Sequence, residues 1–346
     1  MGFNNKEFGF VNTLRFVSML SIVIFHTFQS YLNFNNSFRC FDNEKLFSIF
    51  SILQVGRFGN ISFFFISGLL LGNKLKDNYK KNEVISPIIV KRIKFLIKPL
   101  IVISTFNLLS SLIYIYVIEN RDYDLIELIK NTISMQWFIV ILFTCFALLR
   151  IMNTSKRLLV LLIILTLVSV YIGLNCYFLW FSIRVKYKSI TFLAFLLYLP
   201  LGFFFGVNEN YWHKLVVFVR KYFITFAILT FLFYLISVFD SFYLVKIAVE
   251  LPFNNAKLSN QLFSLCFLLT FCSTVNSNVY PKFLKPRNET IGIFFIHQVF
   301  IFIINVCVKL EFLGKNLNNK PTLPSFFKQA YLFNNESFVF LSILKS

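Results

Sequence analysis

The chain has 346 residues, 57% of them hydrophobic, and a formal net charge of +19 at pH 7. Soluble domains are about 45–50% apolar, so this composition excludes an ordinary soluble globular protein. Repeated apolar runs of about 17 residues or more indicate a polytopic membrane protein. Most lysines and arginines lie between these runs, where topology and anionic headgroups account for the charge, so we expect membrane lipids and no nucleic acid as partners.

The cysteines indicate neither a disulfide framework nor a metal centre. They are Cys40, Cys145, Cys176, Cys266, Cys272 and Cys307. They form no Cys-x-x-Cys motif and no ligand spacing with a histidine, so we expect packing roles and no metal. The first apolar segment has no small-residue cleavage site and is predicted to be a retained helix. We expect one domain over residues 1–346, an all-α transmembrane bundle of about ten helices.

The first predicted transmembrane helix, residues 13–28, contains Arg15 and His26. Eleven residues are three helical turns plus about 20°, so both side chains share one face, about 16 Å apart along the axis. A charge facing lipid costs at least about 2.5–3.5 kcal/mol, so this face should line the protein interior or a wet cavity. Arg15 alone could be an interface anchor and His26 alone a packing residue. Together they favour a functional site.

The second apolar run, residues 46–72, contains the stretch GRFGNISFFFISG. Arg57 is notable within it, because a charge at membrane depth needs a partner or water. We expect the small residues of this stretch to permit close packing against the first helix, with structural roles for Ser67 and Gly68.

The following segment, residues 73–98, is strongly basic. It holds two acidic residues and eight basic ones, Lys74, Lys76, Lys80, Lys81, Lys91, Arg92, Lys94 and Lys98. It is predicted to be a cytoplasmic loop, which places the N-terminus in the cytoplasm as well. The basic segment 175–189 falls outside in this scheme and argues against it. Arg92 and Lys94 lie just before Pro99 at the mouth of the third helix, either as phosphate-binding cations or as interface anchors.

Further apolar runs predict helices at about 99–118, 133–149, 158–174, 190–207, 222–239, 260–275 and 290–308. Trp137 begins the fourth run, where a membrane-interface anchor and a substrate contact are both open. His297 is a second intramembrane histidine, whereas His213 is expected in a solvated interfacial loop. The last run, 337–346, is too short to cross a core of about 30 Å. It either packs partway or belongs to a helix whose end this chain lacks.

These elements, in this order, resemble the membrane-bound acyltransferase-3 family. Arg15, ten residues and His26 resemble its first-helix motif, and GRFGNISFFFISG is similar to a family pattern ending in Phe-Phe-x-x-Ser-Gly, although residues 60–62 depart from it. KRIKFLIKP resembles the family's basic motif ahead of a proline, but Lys94 is the nearest substitute for the second arginine of Arg-x-x-Arg. Gln-Trp-Phe at 136–138 and TIGIFFIHQVFI around His297 resemble later elements, with phenylalanine in place of tyrosine.

The resemblance implies an integral membrane O-acyltransferase in a bacterial inner or plasma membrane. The donor would be an acyl-CoA, by default acetyl-CoA, and the acceptor a hydroxyl of a cell-surface polysaccharide or lipid-linked glycan. His26 would be the base or an acyl relay in one catalytic site with Arg15. The residues expected to hold the donor are Arg92, Lys94 and Arg57, with Arg15 beside them. Trp137, His297 and Ser67 are further site candidates.

Two other functions remain open from the sequence. Buried Arg and His in a bundle of about ten helices also suit a transporter or export protein for a glycan or lipid. Against transport, the sequence has no inverted repeat and no pair of interrupted helices in corresponding halves. The short final run also permits a non-functional remnant.

Overall fold

A computed structural model describes residues 10–35, 43–80, 86–113, 137–151, 154–176, 188–246 and 256–274. These residues are helical, and no strand lies among them, which confirms the predicted all-α bundle. The helices are α1 (Phe10–Asn35), α2 (Asn43–Val55), α3 (Phe58–Lys80), α4 (Ser86–Ile113), α5 (Trp137–Ile151), α6 (Ser155–Asn175), α7 (Tyr198–Val207), α8 (Glu209–Lys221), α9 (Phe223–Lys246) and α10 (Leu258–Thr274), and a 3-10 helix (Lys188–Leu197) leads into α7.

Three helical stretches in the described residues are long and apolar enough to cross a membrane, namely Phe47–Tyr79, Ser155–Asn175 and Phe223–Leu244. A fourth candidate is the pair Leu193–Val207 and Glu209–Lys221, which is bent by 103°. The large hydrophobic side chains exposed on α6 and α9 include Leu159, Ile163, Leu167, Ile224, Ile228 and Phe231. Soluble monomers rarely expose contiguous apolar faces, so these faces fit contact with lipid tails.

The basic segment 73–98 is mostly helical, so its prediction as a loop is wrong. Helix α3 continues to Lys80 and α4 already begins at Ser86. Lysine and arginine are good helix formers, and their long side chains reach the membrane surface from within a helix. Arg92 and Lys94 therefore lie in the first half of α4 rather than ahead of a helix.

Helices α3 and α7 approach each other through two glycine pairs. Gly68 and Gly72 on α3 face Gly202 and Gly206 on α7, and a methyl group on any of them would lie 1.9–2.3 Å from a backbone oxygen of the opposite helix. Small residues four apart allow this backbone contact in membrane bundles. The predicted packing of this stretch against the first helix is confirmed at Gly56 and Gly59, which contact Ser21 and Ser18 of α1, whereas Gly68 contacts α7 instead.

Contacts between the helices place several basic segments at one end of the bundle. Phe10, at the start of α1, packs on Trp212 of α8 with ring centroids 6.1 Å apart. Lys76, near the end of α3, forms a 2.9 Å ion pair with Glu209 at the start of α8. The start of α1, the end of α3 and α8 therefore share one end, which we call the basic end. The turn that contains Arg57 lies at the opposite end of α3.

Candidate functional site

The single run predicted over residues 46–72 is broken by a turn at Gly56 and Arg57, between α2 and α3. This turn packs directly on α1. A methyl group at Gly56 would lie 2.7 Å from the backbone oxygen of Ser21, and one at Gly59 would lie 2.7 Å from the backbone oxygen of Ser18. The glycines therefore allow the turn to approach the half of α1 that carries His26.

Arg57 and His26 meet at one aromatic ring. The guanidinium carbon of Arg57 lies 3.9 Å from the centroid of the Phe25 ring, in cation–π geometry. The His26 ring lies edge-on to the same ring, with centroids 5.2 Å apart. Arg57 is buried, at 4% exposure, and His26 is partly buried. The fold thus places a buried cation from the α2–α3 turn against the aromatic residue that precedes His26 in α1.

Gln54 connects this turn to α9. The backbone N–H of Arg57 donates to the backbone oxygen of Gln54 at 3.1 Å. The side-chain amide of Gln54 donates to the Ser241 hydroxyl, and its oxygen accepts from the Ser237 hydroxyl at 3.0 Å. All three side chains have 0% exposure. The turn that presents Arg57 is therefore tied to α9 by buried hydrogen bonds.

Lys257 joins Gln54, Ser237 and Ser241 in one buried polar cluster. It lies in the turn before α10, has 0% exposure, and its ammonium nitrogen donates to the Ser241 hydroxyl at 2.6 Å. The pKa of Lys257 falls to about 7, chiefly because burial penalises the charged form and also because the Arg57 guanidinium is near. Asp240 and Cys176 act in the opposite direction. Two cations thus lie close enough to influence each other in the bundle interior.

A second buried cluster anchors the turn that contains Lys257. The side-chain amide of Gln261 donates to the backbone oxygen of Ala256 at 2.6 Å, and its oxygen accepts from the Tyr198 hydroxyl at 2.7 Å. The Ser169 hydroxyl lies 2.7 Å from the same oxygen. This cluster joins α6, α7 and α10, which fixes where Lys257 enters the bundle.

Sequence reasoning missed Gln54, Ser241 and Lys257. Lys257 immediately precedes an apolar run, where a lysine is normally read as an interface anchor. Ser241 and Gln54 are 187 residues apart in sequence, so no local pattern pairs them. The available signal was the lysine at the border of an apolar run, which becomes informative only when its burial is known.

Of the cations expected to hold a donor, Arg57 lies at this site, whereas Arg15, Arg92 and Lys94 lie elsewhere. Arg15 is partly buried and lies five residues after Phe10, whose ring packs on α8 at the basic end. Arg92 is partly buried and Lys94 is exposed, both in the first half of α4. Helix α3 has 23 residues and is about 34 Å long. Arg57 lies just before its first residue, whereas α4 follows its last residue. Arg57 therefore lies with His26 rather than with Arg92 and Lys94.

The remaining candidates are placed only in part. Ser67 is partly buried on α3, next to the glycine contact with α7. Trp137 begins α5, but its side chain, like all of His297, lies outside the described residues. His213 is exposed, as expected, but it lies on α8 rather than in a loop, so that part of the prediction is wrong.

Apolar helices of membrane-spanning length, together with a histidine and a buried arginine held at one end of the bundle, define a helical membrane protein with a polar interior site. A family model described as an acyltransferase domain matches residues 8–328. The chain therefore belongs to the acyltransferase-3 family, as its motifs predict, and is a membrane acyltransferase for groups other than aminoacyl groups. No curated protein and no solved structure matches it.

Proposed function

We propose that this membrane acyltransferase transfers an acetyl group from acetyl-CoA to a hydroxyl of a cell-surface polysaccharide or its lipid-linked precursor. The observation that carries the proposal is the meeting of His26 and Arg57 at the ring of Phe25. O-acyl transfer requires a base for the acceptor proton and a donor group for the developing oxyanion. An imidazole and a guanidinium held at one site can supply both.

In this proposal His26 accepts the proton of the acceptor hydroxyl as its oxygen attacks the acyl carbonyl. Arg57 stabilises the negative charge that develops on the carbonyl oxygen, where a buried cation acts more strongly than one in water. The carbon–sulfur bond then breaks, and coenzyme A leaves as the thiol with the proton that His26 took from the acceptor hydroxyl. The products are an O-acyl ester and free coenzyme A.

The donor's phosphates fit the basic end. Arg15 is a partly buried cation in α1 near this end. Arg92, also partly buried, and Lys94, which is exposed, lie in the first half of α4. A guanidinium binds phosphate in a bidentate manner and a lysine as a point charge. We propose that this end faces the cytoplasm, where acetyl-CoA is made, with the N-terminus on that side of a multi-pass protein in a bacterial inner membrane.

The test follows labelled acetyl groups in membranes. Vesicles containing wild type or His26→Ala receive labelled acetyl-CoA, and label is measured in the glycan and protein fractions. The proposal predicts label in glycan with wild type and none with His26→Ala, at equal expression and membrane insertion. Full activity of His26→Ala would end the catalytic assignment.

Transport of a glycan or lipid is the second candidate, because a buried cluster of Gln54, Ser237, Ser241 and Lys257 also suits a polar pathway. Transport would move substrate across vesicles without dependence on acyl-CoA. The same vesicles, loaded with the glycan and assayed without a donor, separate the two functions.

A further inference from the structure

Lys257 is a charged group that the proposed acyl transfer does not use directly. Its side chain has 0% exposure, although an isolated buried ammonium is among the most costly groups in a protein interior. Buried ionic groups are often replaceable by apolar residues without loss of stability, so burial alone does not explain a lysine. Its contacts indicate what it does.

A continuous series of contacts joins Lys257 to the candidate site. Its ammonium donates to the Ser241 hydroxyl at 2.6 Å, and the Gln54 amide donates to the same hydroxyl. The backbone oxygen of Gln54 accepts from the backbone N–H of Arg57 at 3.1 Å, and the guanidinium of Arg57 lies over the Phe25 ring. The series ends at the Phe25 ring, which the His26 ring also contacts.

Hydrogen bonds hold the turn at the other end of this series. The Gln261 backbone N–H donates to the Lys257 oxygen at 3.0 Å, and the Gln261 side chain donates to the Ala256 oxygen at 2.6 Å. The turn that contains Lys257 is therefore fixed to α10, and through Gln261 to Ser169 on α6.

We propose that Lys257 is a positioning residue for acyl transfer, which acts through Ser241 and Gln54 to hold the turn that presents Arg57 beside His26. The inference rests on the proposed function, because it assigns a role to a residue that touches neither substrate nor donor. A mutation far from the reacting atoms that misplaces a catalytic group by about 1 Å can lower a rate about 100-fold. A loosened turn would move Arg57 by such an amount without disturbing the basic end.

The kinetic test compares Lys257→Met, Ser241→Ala and the double variant in the vesicle assay. We expect each single variant to lower kcat by up to about 100-fold while KM for acetyl-CoA stays within about twofold, since the donor is held at the other end. The double variant should be no slower than the slower single variant, because both remove one link of the same series. Ser264→Ala is the matched control, since Ser264 is equally buried but donates only to Asn260 of its own helix, at 2.6 Å.

Two kinetic results would overturn the inference. One is a wild-type rate in Lys257→Met, and the other is a pair of effects that multiply in the double variant. A loss shared equally by Ser264→Ala would assign the effect to general destabilisation and would contradict a positioning role as well.

A structural measurement keeps the inference testable even if acyl transfer fails. Spin-labelled unnatural amino acids at Val55 and Leu167, both exposed, report the distance between the end of α2 and α6 without involving the native cysteines. The inference predicts a narrow distance distribution in wild type and in Ser264→Ala, and a broadened or shifted one in Lys257→Met. An unchanged distribution contradicts it. Broadening without any acyl transfer by wild type would show that Lys257 holds the turn in place, but it would reject both the proposed function and a role for Lys257 in acyl transfer.

Discussion

Arg57 lies over the ring of Phe25, with its guanidinium carbon 3.9 Å from the ring centroid, and this contact joins the α2–α3 turn to α1. Because His26 is the next residue of α1, the same contact sets where the cation lies relative to the imidazole. The position of Arg57 is therefore determined by three features: the ring of Phe25, the close approach at Gly56 and Gly59, and the hydrogen bonds of Gln54.

Replacement of Phe25 by leucine should remove the cation–π contact that positions Arg57 while keeping a large apolar side chain at this site. A desolvated cation–π contact contributes about 2 kcal/mol, so we expect acyl transfer to fall by about tenfold or more while the protein still folds. The measurement is the transfer rate per folded protein, with Phe239→Leu as a control, since Phe239 is 56% exposed on α9. An unchanged rate in Phe25→Leu would show that the ring does not position Arg57.

The cations of the basic half of α4 should affect donor binding rather than chemistry. Arg92→Ala is expected to raise KM for acetyl-CoA several-fold at low salt, with a small change in kcat, because the proposed phosphate contact would be present in the ground state as well. Lys94→Ala should have a weaker effect of the same kind, since Lys94 is exposed. A fall in kcat at constant KM would place Arg92 in the chemical step instead.

The glycine contact between α3 and α7 should be intolerant of any side chain. Gly68→Ala places a methyl group 1.9 Å from the backbone oxygen of Leu199, which only a displacement of a whole helix can relieve. We expect a large loss of thermal stability in detergent, measured by the fraction that remains monodisperse after heating. Leu167→Ala on the exposed face of α6 serves as the comparison. Equal stability of Gly68→Ala and wild type would contradict the observed packing.

The ion pair between Lys76 and Glu209 should matter little for stability. Both side chains are about one-third exposed, at 32% and 35%, so the pair is expected to contribute less than about 1 kcal/mol. Lys76→Ala should shift the unfolding midpoint only slightly, and the shift should shrink further at high salt. A large, salt-independent loss would mean that this contact is essential to the docking of α8.

Lys257 should give the protein a measurable pH dependence. Its pKa in the native state is about 7, below the ordinary value of 10.5, so between these values the unfolded chain binds a proton that the native state has released. The free energy of unfolding therefore rises with pH over this range. Below pH 7 Lys257 is protonated in both states, so the native state carries the full cost of burying the ammonium. The charged or titratable groups that act on Lys257 are Arg57, Asp240 and Cys176.

We expect the unfolding midpoint of wild type to rise more between pH 7 and 9 than that of Lys257→Met. Lys214→Met, at an exposed position on α8, should behave like wild type. Parallel pH profiles for wild type and Lys257→Met would show that Lys257 does not change its protonation on unfolding.

The sequence predicted the helical class, most apolar runs and the pairing of Arg15 with His26 on one helix, because hydrophobicity and helical period are local properties. It did not predict the break at Gly56 and Arg57, since two segments of similar apolarity flank the turn. It also could not predict that Lys257 and Gln54 meet at Ser241, because that contact depends on how distant helices pack.

The glycine pairs show the same division between local and long-range information. Gly68 and Gly72 are recognisable as a close-packing pattern, but the sequence does not specify which helix they contact. The partner pair, Gly202 and Gly206, lies in another apolar run with the same spacing. The match between these two patterns identifies α7 as the neighbour of Gly68 and Gly72, while Gly56 and Gly59 contact α1.

The most direct test of whether His26 takes part in acyl transfer compares two histidine variants in one assay. Purified wild type, His26→Ala and His213→Ala are reconstituted in vesicles with labelled acetyl-CoA and the glycan fraction. His213 is exposed on α8, so its loss controls for the removal of an imidazole. If His26 is the base, we expect His213→Ala to label glycan as wild type does and His26→Ala to give no labelling. Equal labelling by both variants would contradict it.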